Sequence, residues 1–245
     1  QRQMCIRDRG DYYRGEYYVL MLTSVLGLLV MAMSRDLITI FVALETISIP
    51  TFVLAGWRKH DTKSNEAALK YFLIGVLSSA VMLYGMSLIY GMSSATTLTD
   101  ISRYAATSTP ALFAVAIFLT LVGFAFKVSA VPFHFWAPDT YVGAPLPVTS
   151  FLSVASKAGG FVALLTIIKF GFFPSTDSWE PILWILAAAS MTLGNLAALK
   201  QTNVVRMLAY SSIAQGGFIL VPLAVAGDVV GNSAWEAVVI YLIIY

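Results

Sequence analysis

Apolar stretches recur along this chain at lengths a bilayer demands, with short polar breaks between them. Crossing a hydrocarbon core of ~30 Å takes ~20 helical residues. Eight segments follow that pattern, at residues 17–33, 37–57, 66–90, 111–131, 148–170, 181–199, 204–225 and 234–245. Barrel strands would instead alternate polar and apolar positions over ~10 residues, and no such alternation runs through the sequence. The pattern predicts an all-α polytopic membrane protein. No low-complexity linker interrupts it, so residues 11–245 form a single transmembrane domain of about eight helices.

Composition agrees. Hydrophobic residues make up 58% of the chain and charged residues 11%, where a soluble domain carries roughly 25% charged. Mean hydropathy is +0.79. The formal net charge of +2 gives no reason to expect a nucleic-acid partner. One cysteine, Cys5, excludes an internal disulfide and any cysteine-built cluster or zinc site. Two histidines, His60 and His134, stand too far apart in sequence to suggest a metal motif. Residues 1–10 are polar and unpatterned, unlike a cleavable signal peptide, and are read as a non-native or artefactual segment. The last apolar run stops at Tyr245 before it would span, which suggests part of a longer protein.

Basic residues set the orientation. Arg14, Arg58, Lys59, Lys63, Lys200 and Arg206 fall on one side if each segment crosses once, and that side is expected to be cytoplasmic. Asp36, Asp100, Asp177, Glu180 and Asp228 fall on the other, with Arg35 and Arg103. The polar loop 91–110 has the character of a short surface helix.

Against this background three ionisable residues stand out: Glu45, Lys127 and Lys157, each within an apolar helical run. A charge at the bilayer centre costs at least ~2.5–3.5 kcal/mol, so it faces the bundle interior or water and usually has a task. At 1.5 Å per residue, Glu45 lies ~12 Å and Lys157 ~14 Å along their segments, both near mid-membrane. Lys127 lies deeper along its own, and Pro132 follows five residues later. That proline lacks an N–H and clashes with the Val128 carbonyl, so the helix should break just after the lysine. Broken helices at membrane depth line protein or watery cavities and recur in ion transporters. Pro50 repeats the arrangement after Glu45, and Thr46, Ser48, Ser129, Ser153 and Ser156 add hydroxyls that would hold water.

Desolvation disfavours a buried ammonium and a nearby carboxylate favours it. A Glu45–Lys127 pair of variable separation would therefore act as a proton switch. The plainer reading is a structural ion pair or a snorkelling side chain. Snorkelling is preferred for Lys70 and Lys169, near the ends of their segments, and function for Lys127, Lys157 and Glu45. His134, just after the break, is open to a relay or a structural role. Asp139 reads as a helix-capping loop residue, and Trp57, Trp136 and Trp179 read as interfacial anchors.

The stretch 127–157 opens Lys127-Val128-Ser129-Ala130-Val131-Pro132-Phe133-His134-Phe135-Trp136-Ala137-Pro138-Asp139 and closes on Ser153-Val154-Ala155-Ser156-Lys157. Together with Leu44-Glu45-Thr46-Ile47-Ser48-Ile49-Pro50, Glu66-Ala67-Ala68-Leu69-Lys70-Tyr71-Phe72 and Tyr210-Ser211-Ser212-Ile213, it closely resembles the subunit N family of proton-translocating NADH:quinone oxidoreductase, respiratory complex I. The resemblance implies an antiporter-like fold of inverted five-helix repeats, the first over about 17–170 with its broken helix near Pro132. The second repeat, over about 181–245, would be truncated. It implies a membrane-arm subunit that takes part in proton translocation coupled to quinone reduction through a Glu45/Lys127/Lys157 relay, with Lys70 a further lysine of the family pattern. It also implies a multi-pass protein of the bacterial inner membrane, partnered by other membrane subunits of complex I and by lipid. No cofactor is expected in this chain; FMN, iron–sulfur clusters and quinone would belong to other subunits. Gln215 departs from relatives that have histidine near this place. The rival reading is a multisubunit cation/proton antiporter subunit with no redox partner.

Overall fold

The computed structural model describes residues 15–108, 110–227 and 232–245. Residues 1–10 with Cys5, together with Arg14 and Asp228, lie outside them. All eight apolar segments are helical: α1 (Gly15–Met33), α2 (Leu37–Ala55), α3 (Thr62–Ser93), then, past a short α4 (Leu98–Thr107), α5 (Ala111–Lys127). A short α6 (Trp136–Gly143) leads into the fifth segment, built from α7 (Leu146–Phe151), a π-helical turn (Leu152–Ser156), α8 (Lys157–Ile167) and a second π-turn (Ile168–Phe172). The chain then continues through α9 (Thr176–Leu199), α10 (Val204–Ala224) and α11 (Asn232–Ile244). Among the described residues, five helical runs are long and apolar enough to cross a membrane by themselves, whereas Ala111–Lys127 is a shorter apolar helix.

Local chemistry explains where helices start. Asp36, Asp61 and Asn203 cap α2, α3 and α10, each accepting from backbone N–H groups of the first turn, which satisfies donors the helix itself leaves open. The loop expectation for 91–110 is met by α4, whose Leu98, Ile101 and Ala105 are buried.

Helix α5 breaks where the proline rule places the break. It ends at Lys127, Ser129 turns the chain at φ 59°, and the Val131–Pro132 bond is cis. The groups freed there find partners. Trp136 Nε1 donates to the Phe126 carbonyl at 3.1 Å, and Val131 N donates to Ser190 Oγ at 2.9 Å. Pro50 behaves differently: α2 runs unbroken through it. The expected second break is therefore absent, and the neighbouring Ser48 carbonyl is bonded by Thr51 Oγ1 at 2.7 Å.

Trp136 and Trp179 are likewise corrected. Both are buried, at 1% and 0% exposure, and the Trp179 indole donates to the Phe172 carbonyl at 2.9 Å. They fasten interior turns and do not anchor at an interface. A position near a segment end could not distinguish the two roles.

Helices α5 and α6 pack in sequence along α3. A Cβ on Gly85 would meet Thr120 N and Ala116 O, one on Gly75 would meet Phe52 and Phe126, and one on Gly143 would meet Lys63 O. The broken pair thus runs antiparallel to α3, with the break opposite Gly75, ~20 Å from Thr62 at 1.5 Å per residue. Helices α9 and α10, and α1 and α2, form the other large contacts. Outward faces carry Leu22, Leu26, Leu73, Leu77, Trp184 and Ile185 in the open, as lipid-facing surfaces do.

Candidate functional site

Lys127 ends the first half of the broken helix and is 2% exposed. Its Nζ donates to Ser48 Oγ at 3.0 Å, across to α2. Glu45 precedes Ser48 by three residues, one helical turn on the same face. It is half-buried, and its Oε1 accepts from Ser79 Oγ of α3 at 2.5 Å. The structure thus brings Glu45 and Lys127 to adjoining turns without direct contact, Ser48 standing between them. Among the described residues no carboxylate lies within 4.0 Å of Lys127 or Lys157.

Lys157 begins α8, directly after the π-turn, and is also 2% exposed. A π-turn inserts one residue into the helical ladder and often marks a functional position. Its Nζ donates to the carbonyl and hydroxyl of Ser212 on α10, at 2.8 and 2.6 Å. Ser212 Oγ in turn shares a hydrogen bond of 2.8 Å with Tyr245 OH. Nearby, Tyr241 donates to the Gln215 side chain, so Gln215 has a partner on α11 without histidine chemistry.

Lys70 does not snorkel freely. Its Nζ pairs with Glu66 at 2.7 Å and with Asp139 at 2.6 Å, and Asp139 also holds Arg206 at 2.8 Å. Asp139 lies inside α6, where it ties α3 to α10; the capping-loop expectation is corrected. This cluster gathers Lys70, Arg206 and, through Gly143, the turn of Lys63 at one end of the bundle, as the basic-residue alternation requires. Asp139 side chain exposure is 24%, with Lys70 at 43% and Arg206 at 41%. Solvent screening makes such exposed pairs weak. Asp139→Asn is therefore expected to lower the thermal stability of the detergent-solubilised protein by only a few degrees, and the loss should shrink with added salt. Melting curves at two ionic strengths check both.

His134 is buried at 3% exposure, and its Nδ1 has no hydrogen-bond partner. Of the five hydroxyls singled out, Ser48 holds Lys127, and Ser129 Oγ is buried and unpaired beside the break. Thr46 and Ser153 only bond back to carbonyls of their own helix, at Val42 and Ser150. Sequence reasoning missed Ser79, Asp139 and Ser212 as partners of these groups. Each is a polar residue in a helical run, a visible signal, but nothing in sequence spacing pairs it with a residue 34 to 69 positions away.

Known proteins are similar to this chain in sequence and fold. The chain is 50% identical over 234 residues to NADH-quinone oxidoreductase subunit N 2 of Symbiobacterium thermophilum, covering 89% of this chain and 46% of the relative. It is 47% identical over 232 residues to NAD(P)H-quinone oxidoreductase subunit 2 of Thermosynechococcus vestitus, covering 94% and 44%. The chain thus spans about half the length of the curated relatives it matches. Among solved structures, respiratory complex I from Thermus thermophilus with bound aureothin aligns at 39% identity and a TM-score of 0.79, covering 94% of this chain and 49% of that one. The Mrp complex from Dietzia sp. DQ12-45-1b aligns at 25% identity and a TM-score of 0.80, covering 91% and 41%. With residues 34–245 matching its transmembrane region, the chain belongs to the NADH:quinone oxidoreductase/Mrp antiporter family.

Proposed function

We propose that this chain is the antiporter-like part of a subunit N in a proton-translocating NADH:quinone oxidoreductase, and that it moves protons when quinone is reduced elsewhere in the complex. In this reading it sits in the bacterial plasma membrane among the other membrane subunits, and FMN and the iron–sulfur clusters belong to the rest of the assembly. The basic end of the bundle, with Arg58, Lys59, Lys63 and Arg206, faces the cytoplasm. The inverted-repeat organisation, with 17–170 as the first repeat, is part of the same reading.

The observation that carries it is the pair of buried lysines, whose nitrogens are held by neutral oxygens alone. An ammonium taken out of water loses its hydration, and Ser48 or Ser212 replaces only part of it. Each lysine is therefore held where both charged and neutral forms are within reach. The Glu45 carboxylate, one turn from Ser48, supplies the variable charge: its approach to Lys127 retains the proton, and its withdrawal releases it. Lys157 is the next station. Lys70, bound to Glu66 and Asp139, would sit near the cytoplasmic entrance.

The test is purification of the protein, expressed from its natural gene, out of native membranes in mild detergent. NADH:quinone activity and iron–sulfur signals travelling with it would support the proposal. Cation-driven proton exchange by a purified assembly devoid of redox activity would overturn it in favour of an antiporter, the function suggested by the likeness to the Mrp complex.

A further inference from the structure

Glu45 is a carboxylate with few neighbours to hold its charge. It is half-buried on α2, and among the described residues no cationic side chain lies within 4.0 Å of it. Its hydrogen-bond partner there is the Ser79 hydroxyl of α3, which donates to Oε1 at 2.5 Å. A hydrogen bond to a charged oxygen is short and roughly twice as strong as one between neutral groups. The Glu45 charge therefore depends on a single hydroxyl, and that hydroxyl belongs to another helix.

Ser79 departs from the habit of hydroxyls on these helices. Serine and threonine inside a helix commonly turn back to the carbonyl four residues earlier. Thr46, Ser48, Thr120 and Thr192 do so, bonding Val42, Leu44, Ala116 and Ala188 at 2.7 to 2.8 Å. A serine hydroxyl has one proton to donate, and Ser79 gives it to Glu45. The Gly75 carbonyl, one turn back, has a second lone pair for the same proton. Whichever oxygen accepts, no buried donor is orphaned.

This choice of acceptor lies beside the helix break. A Cβ on Gly75 would meet the ring of Phe126, the residue before Lys127, and Ser79 is only ~6 Å further along α3. On α2, Glu45 stands one turn from Ser48, which accepts from Lys127 at 3.0 Å. With Ser79 on Glu45, the carboxylate stays out of contact with Lys127, although its charge still acts on the lysine.

We propose that Ser79 is a positioning residue for the Glu45–Lys127 switch, a latch whose hydroxyl holds Glu45 ionised and apart from the lysine. The proposal rests on the relay reading above. No covalent bond changes; one hydroxyl proton exchanges acceptors. With the hydroxyl on Glu45 the pair is open and Lys127 can release its proton. When the hydroxyl turns to the Gly75 carbonyl, Glu45 is free to close on Lys127 and the proton is retained.

The test compares Ser79→Ala and Ser79→Thr in the assembled complex. The readouts are NADH-driven proton translocation and the infrared carboxylate band of Glu45, identified by its loss in Glu45→Gln. Ser79→Ala is expected to shift the band and to slow translocation about tenfold, in line with one lost hydrogen bond to a charged group. Ser79→Thr keeps the hydroxyl and should restore both. Should Ser79→Ala fail to assemble, Ser79→Cys takes its place, with a similar shape and only a weak S–H donor. Wild-type translocation in the variant lacking the hydroxyl, beside a Glu45→Gln control that fails, would overturn the latch and leave the relay standing. Equal losses in Ser79→Ala and Ser79→Thr with the band unmoved would also overturn it, since packing alone would then explain them. Wild-type translocation in Glu45→Gln would overturn the relay itself.

Discussion

Lys127→Met in the intact complex is expected to abolish most proton translocation while leaving assembly normal. Methionine has similar length and no charge, and it fits the apolar surroundings supplied by α5. Ser48 loses a donor but keeps its own bond to the Leu44 carbonyl at 2.7 Å, so no buried donor is orphaned. The structural cost is correspondingly small. The functional cost is the loss of a proton-carrying group at the break, and losing a positioned proton-transfer group costs roughly 10²- to 10⁴-fold in rate. Lys127→Arg sharpens the result. Arginine keeps the charge but does not give up its proton, so it should pump as poorly as methionine. Dye-reported acidification of sealed membrane vesicles driven by NADH measures both. Robust pumping by Lys127→Arg would show that the charge matters and its proton does not, which would end the relay reading.

Gly85→Leu is expected to damage folding severely. A Cβ at Gly85 would lie 2.6 Å from Thr120 N and 2.8 Å from Ala116 O. Both are backbone atoms of α5, so no side chain can rotate away. Membrane helices associate through such small-residue contacts, where backbones approach closely. A leucine must push α3 and α5 apart over the stretch that leads to the lysine, at a cost of ~3 kcal/mol or more. The readout is the yield of assembled protein after mild detergent extraction, with Gly91→Leu as control. Nothing lies within 4 Å of a Cβ at Gly91, so that variant should assemble normally. Equal yields from both variants would contradict the packing described here.

Much of this protein was legible in its residues because the bilayer is a simple solvent. It demands apolar length, forbids unpaired backbone and taxes charge, so helix existence, the break after Lys127 and the placing of Lys127 and Lys157 in the bundle interior follow from the order of residues. The Pro50 error shows the limit. A proline says which hydrogen bond is lost, whereas neighbouring packing decides whether the helix parts, and α2 stays whole. Trp136 and Trp179 show it again, since indoles near segment ends proved to be interior fasteners for carbonyls at a break and at a turn.

Sequence by itself determined the membrane class, the helical segments and which charges are out of place. Tertiary structure alone decided their partners: Ser48 for Lys127, Ser212 for Lys157, and Asp139 joining Lys70 to Arg206. Solvent preference acts on each segment separately and is written in local composition. A hydrogen bond between residues 55 or 79 positions apart depends instead on which helices pack and at what rotation, and only the folded bundle sets that.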